Sequence, residues 1–158
     1  MLEKKTVSSS QVVMTQLVLP TYTNALDTVF GGTVMSWIDI AAAIASQRHA
    51  SRAVVTASID QLNFVAPIRK GWVVNLKGSV NFVSKSSMEI GVRVDAENPL
   101  TGEKFHTASA YLTFVALGSD GKPAQVPGLI LETDDDRRRF EEGRKRRELR
   151  LSTRVVKR

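Results

Sequence analysis

The sequence predicts an α+β domain, one long helix packed against a meander of antiparallel strands, and three observations carry that prediction. The stretch from Gly31-Gly32 to His49-Ala50 is apolar or small on nearly every side until Gln47-Arg48-His49. A helix apolar all round is one packed away from water, and about 18 such residues make roughly 27 Å of helix. Behind it come four segments, 53–64, 72–83, 88–97 and 104–117, that are rich in β-branched residues or alternate apolar with polar positions. Ahead of it lies a fifth strand candidate, 11–19, closed by Pro20.

Each element has a local reason. Residues 21–30 read as a loop carrying Asn24 and Asp27, and Gly31-Gly32 opens the helix. Arg48 and His49 suit its C-terminal end, where the helix dipole favours positive charge. Residues 88–97 alternate strictly, which is the period of a half-covered strand. Ser84-Lys85-Ser86-Ser87 and Asn98-Pro99-Leu100-Thr101-Gly102-Glu103 read as the turns on either side. Gly118, Gly121, Pro123, Pro127 and Gly128 mark the end of the meander. The sequence therefore divides into a domain over residues 1–132 and a charged tail over 133–158, helical or disordered. A helix wrapped by one sheet is covered on one side only, so a second copy is expected to complete its burial.

Composition excludes several classes. The chain has 158 residues with 42% hydrophobic content, which suits a single core. It has no cysteine, hence no disulfide, thiolate metal site or Cys nucleophile. No apolar run is long enough to span a bilayer, no signal-peptide pattern opens the chain, and the cytoplasm is the expected compartment. Net charge is +6, but the tail from Asp134 holds eleven Lys/Arg against six Asp/Glu, while the rest holds eleven against ten. The basic character belongs to the tail, so the domain itself does not read as a nucleic-acid binder.

Asp39 stands alone among apolar neighbours in Val34-Met35-Ser36-Trp37-Ile38-Asp39-Ile40-Ala41-Ala42. A carboxylate in a segment built for burial loses hydration, and such a group is paired, protonated or functional. With Asn24 and the diglycine upstream, it makes a candidate hydrolytic site without Ser, Cys or His. His49 and His106 lack the acid or Cys clustering of a metal site.

Several motifs run in order along most of the domain: Leu19-Pro20-x-x-Thr23-Asn24, Phe30-Gly31-Gly32-x-x-Met35-x-Trp37-Ile38-Asp39-x-Ala41-Ala42, Arg48-His49-Ala50, Val54-Val55-Thr56-Ala57-Ser58-Ile59-Asp60, Phe64-x-x-Pro67-Ile68-x-x-Gly71, Ser86-Ser87-Met88-Glu89 and Ala110-Tyr111-Leu112-Thr113-Phe114-Val115-Ala116. Together they resemble the hotdog-fold acyl-CoA thioesterases of the acyl-CoA hydrolase type. The resemblance implies a central helix wrapped by a five- to six-stranded antiparallel sheet. It implies dimers that share a continuous sheet, and a trimer of dimers. It also implies hydrolysis of acyl-CoA to free fatty acid and CoA, with Asn24 and Asp39 supplied by opposite subunits. No metal or redox cofactor is implied, since CoA enters as part of the substrate. The chain departs from many relatives at Asp27, where they carry glycine.

In this reading Gly31 and Gly32 offer backbone N–H groups to the developing oxyanion at a helix N-terminus. Asp39 acts as general base or nucleophile, and Asn24 orients the water or the carbonyl. Candidates for holding CoA are Arg52, Arg69, Lys70, Lys85 and the Ser86-Ser87 turn, with Thr56 and Ser58 lining the pantetheine arm. The rival readings are a non-catalytic acyl-CoA-binding module on the same fold and an RNA-binding role for the basic tail.

Overall fold

The computed structural model describes residues 2–156. Strands β1 (Lys5–Thr6) and β2 (Val12–Leu17) precede α1 (Gly31–Ala50). Strands β3 (Ala53–Phe64), β4 (Val73–Val83), β5 (Ser87–Glu97) and β6 (Lys104–Leu117) follow, then β7 (Leu129–Ile130) and α2 (Asp134–Val156). Five strands form an antiparallel sheet in the order β2-β4-β5-β6-β3, and β1 pairs in parallel with β7 as a separate ribbon. The expected helix and main sheet are both present. The first strand is shorter than the sequence suggests, because Pro20–Tyr22 forms a 3-10 turn.

One face of the sheet lies on α1. Val74, Leu76 and Val80 of β4, Ile90, Val92 and Val94 of β5, and Ala108, Leu112 and Phe114 of β6 join Val34, Ile38, Ala41, Ala42 and Ala45 of α1 in the core. Small residues on α1 let helix and sheet approach closely, and the alternation puts the even-numbered positions of β5, and those of β6 from Ala108 onward, inside. The outer face carries α2. Thr133 caps this helix: its Oγ1 accepts from the Asp136 N–H at 3.0 Å while Asp136 Oδ2 accepts from the Thr133 N–H at 3.3 Å. Asp134, Asp135 and Asp136 fill the first turn, where the helix dipole favours anions.

α2 is docked, not free. Phe140 meets Phe82 with ring centroids 4.9 Å apart. At Gly143 the helix comes so near the sheet that a Cβ would sit 2.9 Å from Phe82 Cβ. Arg146 reaches down to Glu89 with Nη2–Oε1 at 2.6 Å and lies 3.7 Å over the Tyr111 ring. Asn81 Nδ2 donates to the same Glu89 Oε1 at 3.2 Å. Asn81 has room because Gly91 faces it; a Cβ there would fall 2.6 Å from its Nδ2. Arg150 pairs with Asp60 of β3 at 2.9 Å.

At the far end of α1, His49 is fully buried, and its Nε2 donates to the Pro127 carbonyl at 2.7 Å. Its Nδ1 is buried without a partner, so the neutral ring is the form that fits. Burial, chiefly, holds its pKa below the ordinary 6.5, with Lys5 adding to that and the Pro127 bond opposing it. A lowered folded-state pKa means that this stability is present above about pH 6.5 and fades as pH falls below it. Thermal melts from pH 7.5 to 5 should show a declining Tm, and His49→Gln, which keeps a donor but does not titrate, should flatten that decline. An identical slope in both proteins would remove His49 from the explanation.

Candidate active site

Asp39 sits in the middle of α1, half-buried, on a stripe with exposed Gly32, Met35, Ser36 and Ile40. Within one chain this stripe faces solvent, because the sheet wraps only the opposite side, as expected of a helix covered on one side. Thr56 of β3 donates its Oγ1 hydrogen to Asp39 Oδ1 at 2.7 Å. This bond fixes one carboxylate oxygen, and among the described residues the other has no hydrogen-bond partner.

Thr56 and Ser58 do not line one channel as expected. A β-bulge falls between them, so Thr56 pairs with Phe114 and Ser58 with Thr113. Phe114 belongs to the core face and Thr113 to the outer face, and the extra residue Ala57 therefore turns Ser58 away from Asp39.

The loop before α1 is organised by Asn24. Its Oδ1 accepts from the Leu26 N–H at 2.9 Å, the Thr28 N–H at 3.3 Å and the Thr28 hydroxyl at 3.2 Å. The loop thus uses the amide oxygen, leaving the two Nδ2 hydrogens for another acceptor. Asp27 takes the left-handed backbone at φ 56°, a conformation glycine adopts without strain and Asp tolerates. Its carbonyl accepts from the Lys70 N–H at 2.9 Å, and its carboxylate meets Lys70 Nζ at 3.4 Å on the surface. The departure at position 27 is therefore accommodated.

Gly31 and Gly32 form the first turn of α1, with no side chain capping it. The N–H groups of Thr33 and Val34 turn back to the Phe30 carbonyl, leaving those of Gly31 and Gly32 pointing outward. A Cβ on Gly32 would touch nothing within 4 Å, so the space before this helix end is open. Beside it lies a cavity of about 310 Å³ lined by Thr28, Val29, Gly31, Val34, Phe64, Val65, Ala66, Pro67 and Ile68. Its lining is more apolar than polar.

The CoA candidates split between two ends of the sheet. Arg69 and Lys70 stand beside the Asn24 loop, through the Thr28–Arg69 bridge and the Asp27–Lys70 contacts. Arg52 precedes β3, and Lys85, Ser86 and Ser87 form the β4–β5 turn at the opposite end, where Ser87 pairs with Val115 and Ala53 with Leu117. No hydrogen bond joins Asn24 to Asp39 among the described residues. The Asp39–Thr56 bond has no sequence signal, since it joins a helix to a strand across seventeen positions.

The fold and this arrangement define a class: a hotdog domain with an acid on its central helix and open N–H groups at the start of that helix. The chain matches the Thioesterase superfamily model over residues 26–103. It is 44% identical over 134 residues to an acyl-CoA thioester hydrolase of Bacillus subtilis described as uncharacterized, covering 85% of this chain and 78% of that one. It is 42% identical over 146 residues to the cytosolic acyl coenzyme A thioester hydrolase of Rattus norvegicus, covering 91% of this chain. There it spans only 38% of the relative's length. Among solved structures, an apo-hexameric acyl-CoA thioesterase superposes with a TM-score of 0.92 at 40% identity, covering 96% of this chain and 97% of the other. The acyl-CoA hydrolase of Staphylococcus aureus, solved with butyryl coenzyme A, coenzyme A and coenzyme A disulfide, gives 0.90 at 36% identity, covering 99% and 94%. Alanine variants of that hydrolase at one aspartate, one threonine and one asparagine have also been solved. This chain belongs to the thioesterase superfamily, within its hotdog acyl-CoA hydrolase family.

Proposed function

We propose that this protein hydrolyses acyl-CoA to free fatty acid and CoA, at sites shared between two copies of the chain. The observation that carries the reading is Asp39, held by Thr56 at 2.7 Å on the open stripe of α1. The spacing in the Staphylococcus aureus variants supports it: their asparagine, aspartate and threonine are separated by fifteen and then seventeen residues. Asn24, Asp39 and Thr56 have the same separations.

The topology supports a composite site. Strand β3 is a twelve-residue sheet edge with Val55, Ile59 and Phe64 exposed, and an unpaired apolar edge invites a partner strand. Antiparallel pairing of two β3 edges about a two-fold axis sets the start of one strand beside the end of the other. The Asn24–Gly31 end of one chain then approaches the Arg52–Lys85–Ser86–Ser87 end of its partner. Both halves of the CoA candidate set meet in this way, and Asp39 of one chain can face Asn24 of the other. Three such dimers make a hexamer.

At the composite site the thioester carbonyl oxygen lies against the N–H groups of Gly31 and Gly32, with the Asn24 amide as a further donor. Asp39 either takes a proton from the attacking water or attacks the carbonyl carbon itself, in which case water afterwards cleaves the resulting acyl–Asp39 anhydride to free the fatty acid and the carboxylate. The carbon–sulfur bond breaks, and the CoA thiolate leaves and takes up a proton. The cavity beside Gly31 receives the acyl chain. No metal or redox cofactor enters this scheme. The pairing of Arg146 with Glu89 and of Arg150 with Asp60 supports reading the tail as docked on the sheet, and gives no support to a nucleic-acid role for those two arginines. A cytoplasmic location follows the rat relative's name, and among the described residues no helix is long and apolar enough to cross a membrane.

Thiol release from acetyl-CoA and palmitoyl-CoA tests the reading. The wild-type protein should release CoA. Thr56→Val keeps shape but removes a hydrogen bond to a charged group, a loss of about 1.5–3 kcal/mol, so kcat should drop about tenfold to a hundredfold with KM little changed. No CoA release at any chain length would defeat the thioesterase reading, and an unchanged kcat in Thr56→Val would defeat the role given to that bond.

A further inference from the structure

We propose a second acyl-transfer site on the outer face of the sheet, with Ser109 as nucleophile, His106 as its base and Asp95 holding His106. In a regular strand His106 and Ser109 would point to opposite faces. A bulge between Val94 and Asp95 shifts the β5–β6 register, so that Asp95 pairs with His106 while Arg93 pairs with Ser109. Thr107 takes up the slack: it is fully buried, and its hydroxyl donates to the Val94 carbonyl at 3.0 Å. The bulge therefore gathers four polar side chains on one patch of the outer face.

Within the patch the contacts run in one sense. Ser109 Oγ lies 3.2 Å from His106 Nε2, and His106 Nδ1 lies 3.5 Å from Asp95 Oδ1. At 3.5 Å the His106–Asp95 contact is a charge contact longer than a hydrogen bond; in the proposed tautomer Nδ1 carries the ring proton toward Asp95 and Nε2 keeps its lone pair for the Ser109 hydroxyl. That is the nucleophile–base–orienter order of a serine hydrolase, which is recognised by geometry and roles and not by sequence position. Asp95 is itself held by Arg93, whose Nε donates to both carboxylate oxygens at 3.1 Å.

The patch opens on a cavity. Ser109 and Arg93 line a space of about 590 Å³ between the sheet and α2, together with Lys77, Tyr111, Arg139 and Arg146. That volume is in the range of small-molecule sites. With Arg146 paired to Glu89, the cations Lys77, Arg93 and Arg139 still outnumber Glu142 on its wall, which favours an acyl ester or thioester that carries a carboxylate or phosphate. In the reaction, Ser109 Oγ bonds to the acyl carbon while its proton passes to His106 Nε2. The bond to the leaving group breaks, and the leaving group takes that proton. Water then cleaves the acyl-serine by the same route in reverse, restoring Ser109. The strand's backbone N–H groups are engaged in the ladder, so the Arg93 guanidinium, directly across from Ser109, is the donor for the oxyanion. Base catalysis alone supplies on the order of 10²–10⁴-fold, so acylation is slow and best read as a covalent adduct.

The experiment treats the intact assembled protein with a fluorophosphonate probe and maps adducts by peptide mass spectrometry. The wild-type protein should form an adduct on Ser109, and adduct formation should slow at least tenfold in His106→Ala and in Asp95→Asn. Each variant is first checked by sizing chromatography for the wild-type assembly, and His106→Gln serves if His106→Ala does not assemble. No adduct on Ser109, or the same rate without His106, would overturn the proposal. The result is independent of the Asp39 reading, which is measured by CoA release.

Discussion

Asp39→Ala should lower kcat/KM for acyl-CoA by on the order of 10²–10⁴-fold, the usual worth of a positioned acid–base group. The protein should still fold and assemble. Asp39 is half-buried on a solvent-facing stripe and its side chain bonds to an exposed threonine, so the core of α1 survives its loss. Asp39→Asn separates charge from shape: it can still meet Thr56 but cannot take a proton from water, and it should fall nearly as far as alanine. Steady-state thiol release with both variants, beside their melting curves, makes the distinction. A small loss of rate with a large loss of Tm would make Asp39 structural.

Arg146→Ala should be the most destabilising single change outside the core. Glu89 is only 4% exposed and the Arg146 side chain 18%, so removing the arginine strands a carboxylate between sheet and helix. Breaking a buried pair in this way costs about 3–5 kcal/mol. For a chain of this size that lowers Tm by roughly 10 °C, measured at one protein concentration because assembly contributes to stability. Removing both charges in Arg146→Met with Glu89→Gln should recover most of the loss, since no ion is then left unpaired. If Arg146→Ala melts with the wild-type protein, α2 is not held as described.

What could be read from the sequence depended on whether the signal was a period. The even-numbered residues of β5 alternate with polar ones, and the small and apolar run of α1 is continuous, so both elements were legible. The bulges of β3 were not. Ala57 and Gln61, the latter with φ 52°, are ordinary residues, and nothing local announces that Ser58 turns from the face that Thr56 keeps. The docking of α2 was hidden for another reason. Its contact stripe is Asp136, Phe140, Gly143, Arg146 and Arg150, spaced like a helix face but mostly charged, and a charged stripe reads as solvated until Glu89 and Asp60 are seen opposite it. β1 and β7 are two residues each, too short for any period.

At the site, residue types were visible and contacts were not. Asn24, the diglycine and Asp39 stand out by chemistry. The Thr56 bond and the separation of Arg69 and Lys70 from Lys85, Ser86 and Ser87 come only from folding. That separation is also the reason for proposing a shared site, because one chain does not gather the set.

Subunit complementation tests the shared site most directly. Asn24→Ala and Asp39→Ala proteins, each nearly inactive alone, are unfolded together in equal amounts, refolded, and assayed for CoA release. Random pairing across a two-fold axis makes half the dimers mixed, each with one intact site and one doubly defective site. Activity should then return to about a quarter of the wild-type level. Refolded mixtures no more active than the separate variants, with sizing chromatography confirming mixed assemblies, would contradict a site built from two chains.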